Sequence, residues 1–118
     1  MFGDGSVIRD FIHVSDLARA LVDLHSAPSQ PRVVNIGSGT GTSLKELLRL
    51  IEDVTCHPVN VSWHPARQFD VQRNVLDIAR LRSLISFTPM SLEQGVRLTW
   101  DQQLQSIGAR PASVSRDS

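Results

Sequence analysis

Apolar residues recur at helical spacing in four stretches of the chain. Leu17, Ala18, Leu21, Val22 and Leu24 mark the first, with Ser15 or Asp16 as its expected N-cap and Pro28 and Pro31 closing it. Leu44, Leu47, Leu48, Ile51 and Val54 form the stripe of the second. Ser43 and Glu46 in front of it have capping-box spacing, in which each side chain satisfies the other's free backbone N–H. Ile78, Leu81, Leu84 and Ile85 define a third helix with Asp77 as N-cap candidate. Leu92, Val96, Trp100 and Leu104 define a fourth, opened by Ser91 with Gln94 in the capping-box place.

Short extended runs lie between these helices. Ile8 to Val14 and Val33 to Ile36 are continuous apolar-rich strand candidates. Val59, Val61 and Trp63 alternate with polar residues, the pattern of a half-buried strand, and Val71 to Leu76 reads as extended. Gly3-Asp4-Gly5-Ser6 is a turn, because glycine adopts positive φ without cost and aspartate tolerates it. The expected fold class is therefore α/β, with short strands and about four helices. Residues 1–107 form one unit, and residues 108–118 lack periodicity and read as a disordered tail.

Composition narrows the function classes. The chain has 118 residues, enough for one core, with 41% hydrophobic and 20% charged residues, as in a globular protein. Formal net charge is zero, which gives no support to nucleic-acid or acidic-membrane binding. No apolar run approaches the ~20 residues of a membrane span, and no signal peptide is visible. A single cysteine, Cys56, fits a reducing, cytoplasmic setting. Tyrosine is absent, and Lys45 is the one lysine among twelve Lys and Arg residues. Chemistry that needs a Tyr/Lys pair is therefore beyond these residues alone.

Several motifs invite functional readings that their spacing does not support. Gly37-Ser38-Gly39-Thr40-Gly41 sits between a strand candidate and a capped helix, the setting of a phosphate loop. It lacks G-K-[ST], and its glycines do not follow G-x-G-x-x-G, so a structural turn is the better reading. Cys56 and His57 are adjacent, but no further ligand stands at zinc-site spacing. His13 reads as a half-buried strand residue, and Trp63 and Trp100 as core.

Three blocks carry a family resemblance. Gly3-Asp4-Gly5, Arg9-Asp10-Phe11-Ile12-His13-Val14 and Asp16-Leu17-Ala18 match G-D-G-x-x-x-R-D-F-I-H-V-x-D-L-A. Val34-Asn35-Ile36-Gly37-Ser38-Gly39, then Ser43 and Glu46, match V-x-N-I-G-S-G followed by S-x-x-E. Pro65-Ala66-Arg67-Gln68-Phe69-Asp70 is similar to P-x-R-x-G-D, with Phe69 in place of the glycine. Together with Pro89 and Ser91 to Trp100, this resembles the C-terminal, substrate-binding portion of the NAD-dependent epimerase/dehydratase family, extended Rossmann-type short-chain dehydrogenases acting on nucleotide sugars. The match covers about residues 1 to 104.

The resemblance implies roles for three residues. Arg9 and Arg67 occupy the places of arginines that contact the diphosphate of a nucleotide sugar. A guanidinium suits this task, since its planar fork holds two phosphate oxygens and keeps its proton. Asp70 is expected to accept a hydrogen bond from a ribose or an arginine. The bland alternative for Arg9 is a surface ion pair with Asp4 or Asp10, worth little. By the same resemblance, the complete enzyme holds NAD in a Rossmann half and uses a Tyr/Lys pair, both outside this sequence. No catalytic, cofactor-binding or metal-binding residue is expected here. The expected partners are a nucleotide-diphosphate sugar and either the missing N-terminal Rossmann part or a second copy. A non-catalytic nucleotide-sugar binding module and an oligomerisation remnant are the alternatives.

Overall fold

A computed structural model of the chain describes residues 1–29 and 31–109. The elements in chain order are β1 (Ile8–Asp10), α1 (Val14–His25), β2 (Gly41–Ser43), α2 (Leu44–Thr55), β3 (Arg73–Asn74), α3 (Ala79–Leu84) and α4 (Leu92–Ala109). The α/β class and the four helices agree with the sequence pattern. The strands form one small mixed sheet in the order β2-β1-β3. β1 pairs antiparallel with β2, Arg9 opposite Thr42, and parallel with β3, Arg9 opposite Asn74.

Local signals translate directly into helix starts. Ser43 and Glu46 form the full capping box at α2. Ser91 Oγ accepts from Gln94 N–H, while Gln94 Oε1 accepts from Ser91 N–H, each at 3.2 Å. At α1 the cap is His13 rather than Ser15 or Asp16: its Nδ1 accepts from Ser15 N–H at 3.1 Å. The strand expected to run to Val14 therefore ends at Asp10. Asp16 is released for another task. Its side chain is 1% exposed, accepts from Met90 N–H at 2.9 Å and pairs with Arg19 at 2.6 Å, tying α1 to the entry of α4. Asp77 Oδ1 accepts from Ala79 N–H, although α3 begins one residue later than expected.

The core is small. Ala20 and Leu24 of α1 meet Ile78, Leu81 and Phe87, with Ile12, Val34, Ile36 and Leu76 half-buried around them. Val34 and Ile36 thus turn inward. Their backbone, however, forms no strand among the described residues; the segment is held by Arg80, which donates to Val33 O at 3.1 Å. The alternating run Val59 to Trp63 also stays outside the sheet, and Trp63 is 51% exposed rather than core. Trp100 is half-buried beside His57, where α4 packs on α2. The Cα radius of gyration, 17.5 Å, exceeds the ~13 Å of a compact chain of about this length. α4 runs to Ala109, into the segment read as tail; residues 110–118 lie outside the described residues.

Candidate functional site

The turn at the start of the chain and the loop after His64 come together from opposite halves of the sequence. Gly3 and Gly5 take φ of 77° and 85°, the left-handed region that favours glycine. Asp4 Oδ1 closes the turn by accepting Ser6 N–H at 3.0 Å, and its hydrogen bonds with Ser6 hold its carboxyl below the ordinary range. Phe2 and His64 form a parallel bridge, with Gly3 N–H donating to His64 O at 2.9 Å. Ile8 N–H donating to Gln72 O at 2.8 Å continues the same seam into β1.

Arg67 stands in this seam. Its Nε donates to Asp70 Oδ2 at 3.0 Å and its Nη2 lies 2.9 Å from Asp70 Oδ1, a two-pronged pair. The guanidinium carbon lies 4.0 Å from the centre of the Phe2 ring and 5.1 Å from that of Phe69, within cation–π range. Asp70 uses two of the five guanidinium hydrogens, so three remain for a ligand. A cleft of about 530 Å³ opens here, lined by Phe2, Asp4, Ser6, Arg67, Asp70 and Gln72 among others. The structure thus brings Arg67 and Asp70 together in one cleft. Arg9 does not line it.

Arg9 occupies the middle of β1, between Ile8 and Asp10, which project to the opposite face by strand alternation. Its Nη1 donates to Ile8 O at 2.9 Å. Neither Asp4 nor Asp10, its partners in the alternative reading, pairs with it. Asp4 is engaged by Ser6. Asp10 Oδ1 accepts from Ser38 N–H at 2.8 Å and from Ser38 Oγ–H at 2.6 Å, and Oδ2 accepts from Gly39 N–H at 3.0 Å and Leu76 N–H at 3.3 Å. Burial raises the pKa of Asp10, but these four donors outweigh it and hold the carboxyl below its ordinary value.

The same bonds decide the glycine-rich turn. The amides of Ser38 and Gly39, which a phosphate would need, already face an internal carboxylate. A second anion would meet repulsion from Asp10, and the Ser38, Gly39 and Thr40 amides are already engaged, so they offer no cradle to the diphosphate of a dinucleotide such as NAD. These bonds tie the turn to β1. The sequence pattern presents Asp10 only as a neighbour of Arg9, and carries no signal for Phe2 beneath Arg67. Cys56 is an exposed helix C-cap with φ of 58°, and among the described residues no three His, Cys, Asp or Glu side chains gather as a metal site.

A small mixed sheet flanked by helices, an internally bonded glycine turn and an arginine cleft at its edge define an α/β architecture but not a family. Comparison with known proteins is specific on this point. The profile of the NAD dependent epimerase/dehydratase family matches residues 1–37. GDP-L-fucose synthase 1 of Arabidopsis thaliana is 35% identical over 108 residues, covering 91% of this chain and 33% of its own length. UDP-glucose 4-epimerase of Rhizobium leguminosarum bv. trifolii is 35% identical over 107 residues, covering 87% of this chain and 33% of its own. The crystal structure of UDP-glucose 4-epimerase from Thermotoga maritima, with UDP-glucose, superposes with a TM-score of 0.80 at 30% identity, covering 91% of this chain and 35% of that one. Over most of its length the chain is similar to part of the enzymes of the NAD-dependent epimerase/dehydratase family. It spans about a third of the length of the curated relatives it matches.

Proposed function

We propose that this chain is the nucleotide-sugar-binding portion of an epimerase/dehydratase, gripping the ligand's diphosphate with Arg67 and Arg9. The observation that carries this reading is the Arg67–Asp70 pair at the cleft. Asp70 and the Phe2 ring fix the plane of a guanidinium that keeps donors to spare. Arg9 adds a second cation that no carboxylate of the described residues pairs with, on the strand whose neighbour β3 follows the Arg67 loop. Binding by two fixed arginines offsets the ligand's charge at little ordering cost, because the side chains are already held.

The chain contains no tyrosine, so we assign it no part in the family's Tyr-dependent proton transfer. NAD, implied by the family, finds no matching diphosphate cradle in the glycine turn, and we assign its binding to a part of the enzyme outside these residues. That part, or a second copy of this chain, is the expected protein partner.

The test is calorimetric titration of the 118-residue chain with UDP, dTDP, GDP and their sugars. Arg67→Ala weakens binding about 10- to 100-fold, the loss expected for a charge-assisted pair of hydrogen bonds. Arg9→Ala weakens it as well, and higher salt weakens the wild type. No binding at millimolar ligand, or binding indifferent to both substitutions, overturns the assignment.

A further inference from the structure

We propose that Phe69 stacks on the base of the bound nucleotide, so that the arginine cleft selects a nucleoside diphosphate over a bare diphosphate. The inference rests on the diphosphate reading of Arg67 above and extends it to the other end of the ligand.

Phe69 is 77% exposed, the most exposed of the large apolar side chains among the described residues. Packing does not account for it, since its ring stands beside the Arg67 guanidinium, at 5.1 Å, and is otherwise largely open. At that exposure the ring offers a π-face to solvent. Phe2 is different: it is 41% exposed, lies 4.0 Å from the same guanidinium and is backed by the His64 ring at 5.2 Å. Phe2 is therefore support for Arg67, while Phe69 is the aromatic surface left over for a ligand.

The chemistry of the ligand fits this division. A nucleoside diphosphate carries its base one ribose away from its phosphates. Asp70 locks Arg67 in plane and leaves the remaining guanidinium hydrogens for phosphate oxygens. Phe69, one residue from Asp70 in the same loop, stands beside that guanidinium with a face free. Every base has a π-face, so such a platform discriminates nucleotides from pyrophosphate without choosing strongly among bases.

The experiment compares UDP, GDP and inorganic pyrophosphate on the wild-type chain and on Phe69→Ala, Phe69→Trp and Arg67→Ala. Phe69→Ala weakens UDP and GDP about tenfold or more and leaves pyrophosphate within about twofold. Phe69→Trp retains nucleotide affinity, and GDP quenches its fluorescence beyond any change seen in the wild type. Equal loss for pyrophosphate and nucleotides on Phe69→Ala would make the ring a support for Arg67 only, and no loss for either would leave it without a role; both overturn the stacking assignment. If pyrophosphate binding is absent or insensitive to Arg67→Ala, the diphosphate reading itself fails and the stacking role falls with it.

Discussion

Asp10 receives both the backbone amide and the hydroxyl of Ser38 on one carboxylate oxygen, at 2.8 and 2.6 Å. Its other oxygen receives the amides of Gly39 and Leu76. One side chain thereby joins β1, the glycine turn before β2 and the segment leading to α3. Asp10→Asn keeps one acceptor oxygen but turns an N–H2 toward amide donors. Hydrogen bonds to a charged group contribute about 1.5–3 kcal/mol each at most, so a loss of about 2–3 kcal/mol is expected. Urea unfolding monitored by circular dichroism measures it, and a loss below about 0.5 kcal/mol would mean that the clamp adds nothing.

The same carboxylate sets an acid limit. Burial raises its pKa, but the Ser38, Gly39 and Leu76 donors win and hold it below the ordinary value of 3.8. A carboxyl depressed in the folded state stabilises fully above its unfolded pKa, and that contribution disappears as pH falls through the folded pKa. The contribution of Asp10 is therefore constant from neutral pH to about pH 5 and is lost below about pH 4. Asp4, through its hydrogen bonds with Ser6, and Glu46, through those with Ser43, are lowered as well. Asp10→Asn consequently flattens the acid limb in part. An unchanged limb in that variant would remove Asp10 from the account.

Gly37 is required by close approach rather than by φ. A Cβ there would lie 2.8 Å from Asp10 Oδ2 and 2.8 Å from Leu76 Cδ1. Gly37→Ala should cost about 1–3 kcal/mol by overpacking. Because it displaces the carboxylate that holds Ser38 and Gly39, its effect should be non-additive with Asp10→Asn in a double-mutant cycle. Strict additivity would show that the methyl is absorbed elsewhere.

α1 carries an uncovered apolar stripe on the face away from Ala20 and Leu24. Val14, Leu21 and Val22 are 69%, 55% and 68% exposed. Contiguous exposed apolar surface of this kind marks an interaction face. The 118-residue chain is expected to sediment with a concentration-dependent mass, and Leu21→Lys with Val22→Glu to reduce that dependence. A sharp thermal transition from a monomer, independent of concentration, would count against it.

Features closed within one helical turn are legible in the amino-acid order alone. The capping boxes at Ser43/Glu46 and Ser91/Gln94 and the positive-φ glycines of the Gly3–Ser6 turn depend on residues two to three apart. The His13 cap escapes such a reading because imidazole is an uncommon capping group, and its local partner Ser15 competes for the role. Trp63 reads as core because alternation reports which face a residue occupies and cannot report whether anything covers that face. The family resemblance is likewise legible, since it is carried by contiguous motifs.

The order of residues along the chain is thus enough to specify the helices, the caps of α2 and α4, the turn chemistry and the family resemblance. What the ionisable residues do is settled by long-range packing. Asp10 reaches Ser38 and Leu76 across 28 and 66 positions, and Asp16 reaches Met90 across 74. Arg67 acquires its Phe2 platform from the far end of the chain. Apolar periodicity follows from local helix and strand geometry, while a carboxylate or guanidinium is satisfied by whichever donor or ring the fold delivers. The glycine turn shows the difference most directly, since its sequence invites a phosphate and its fold supplies Asp10 instead.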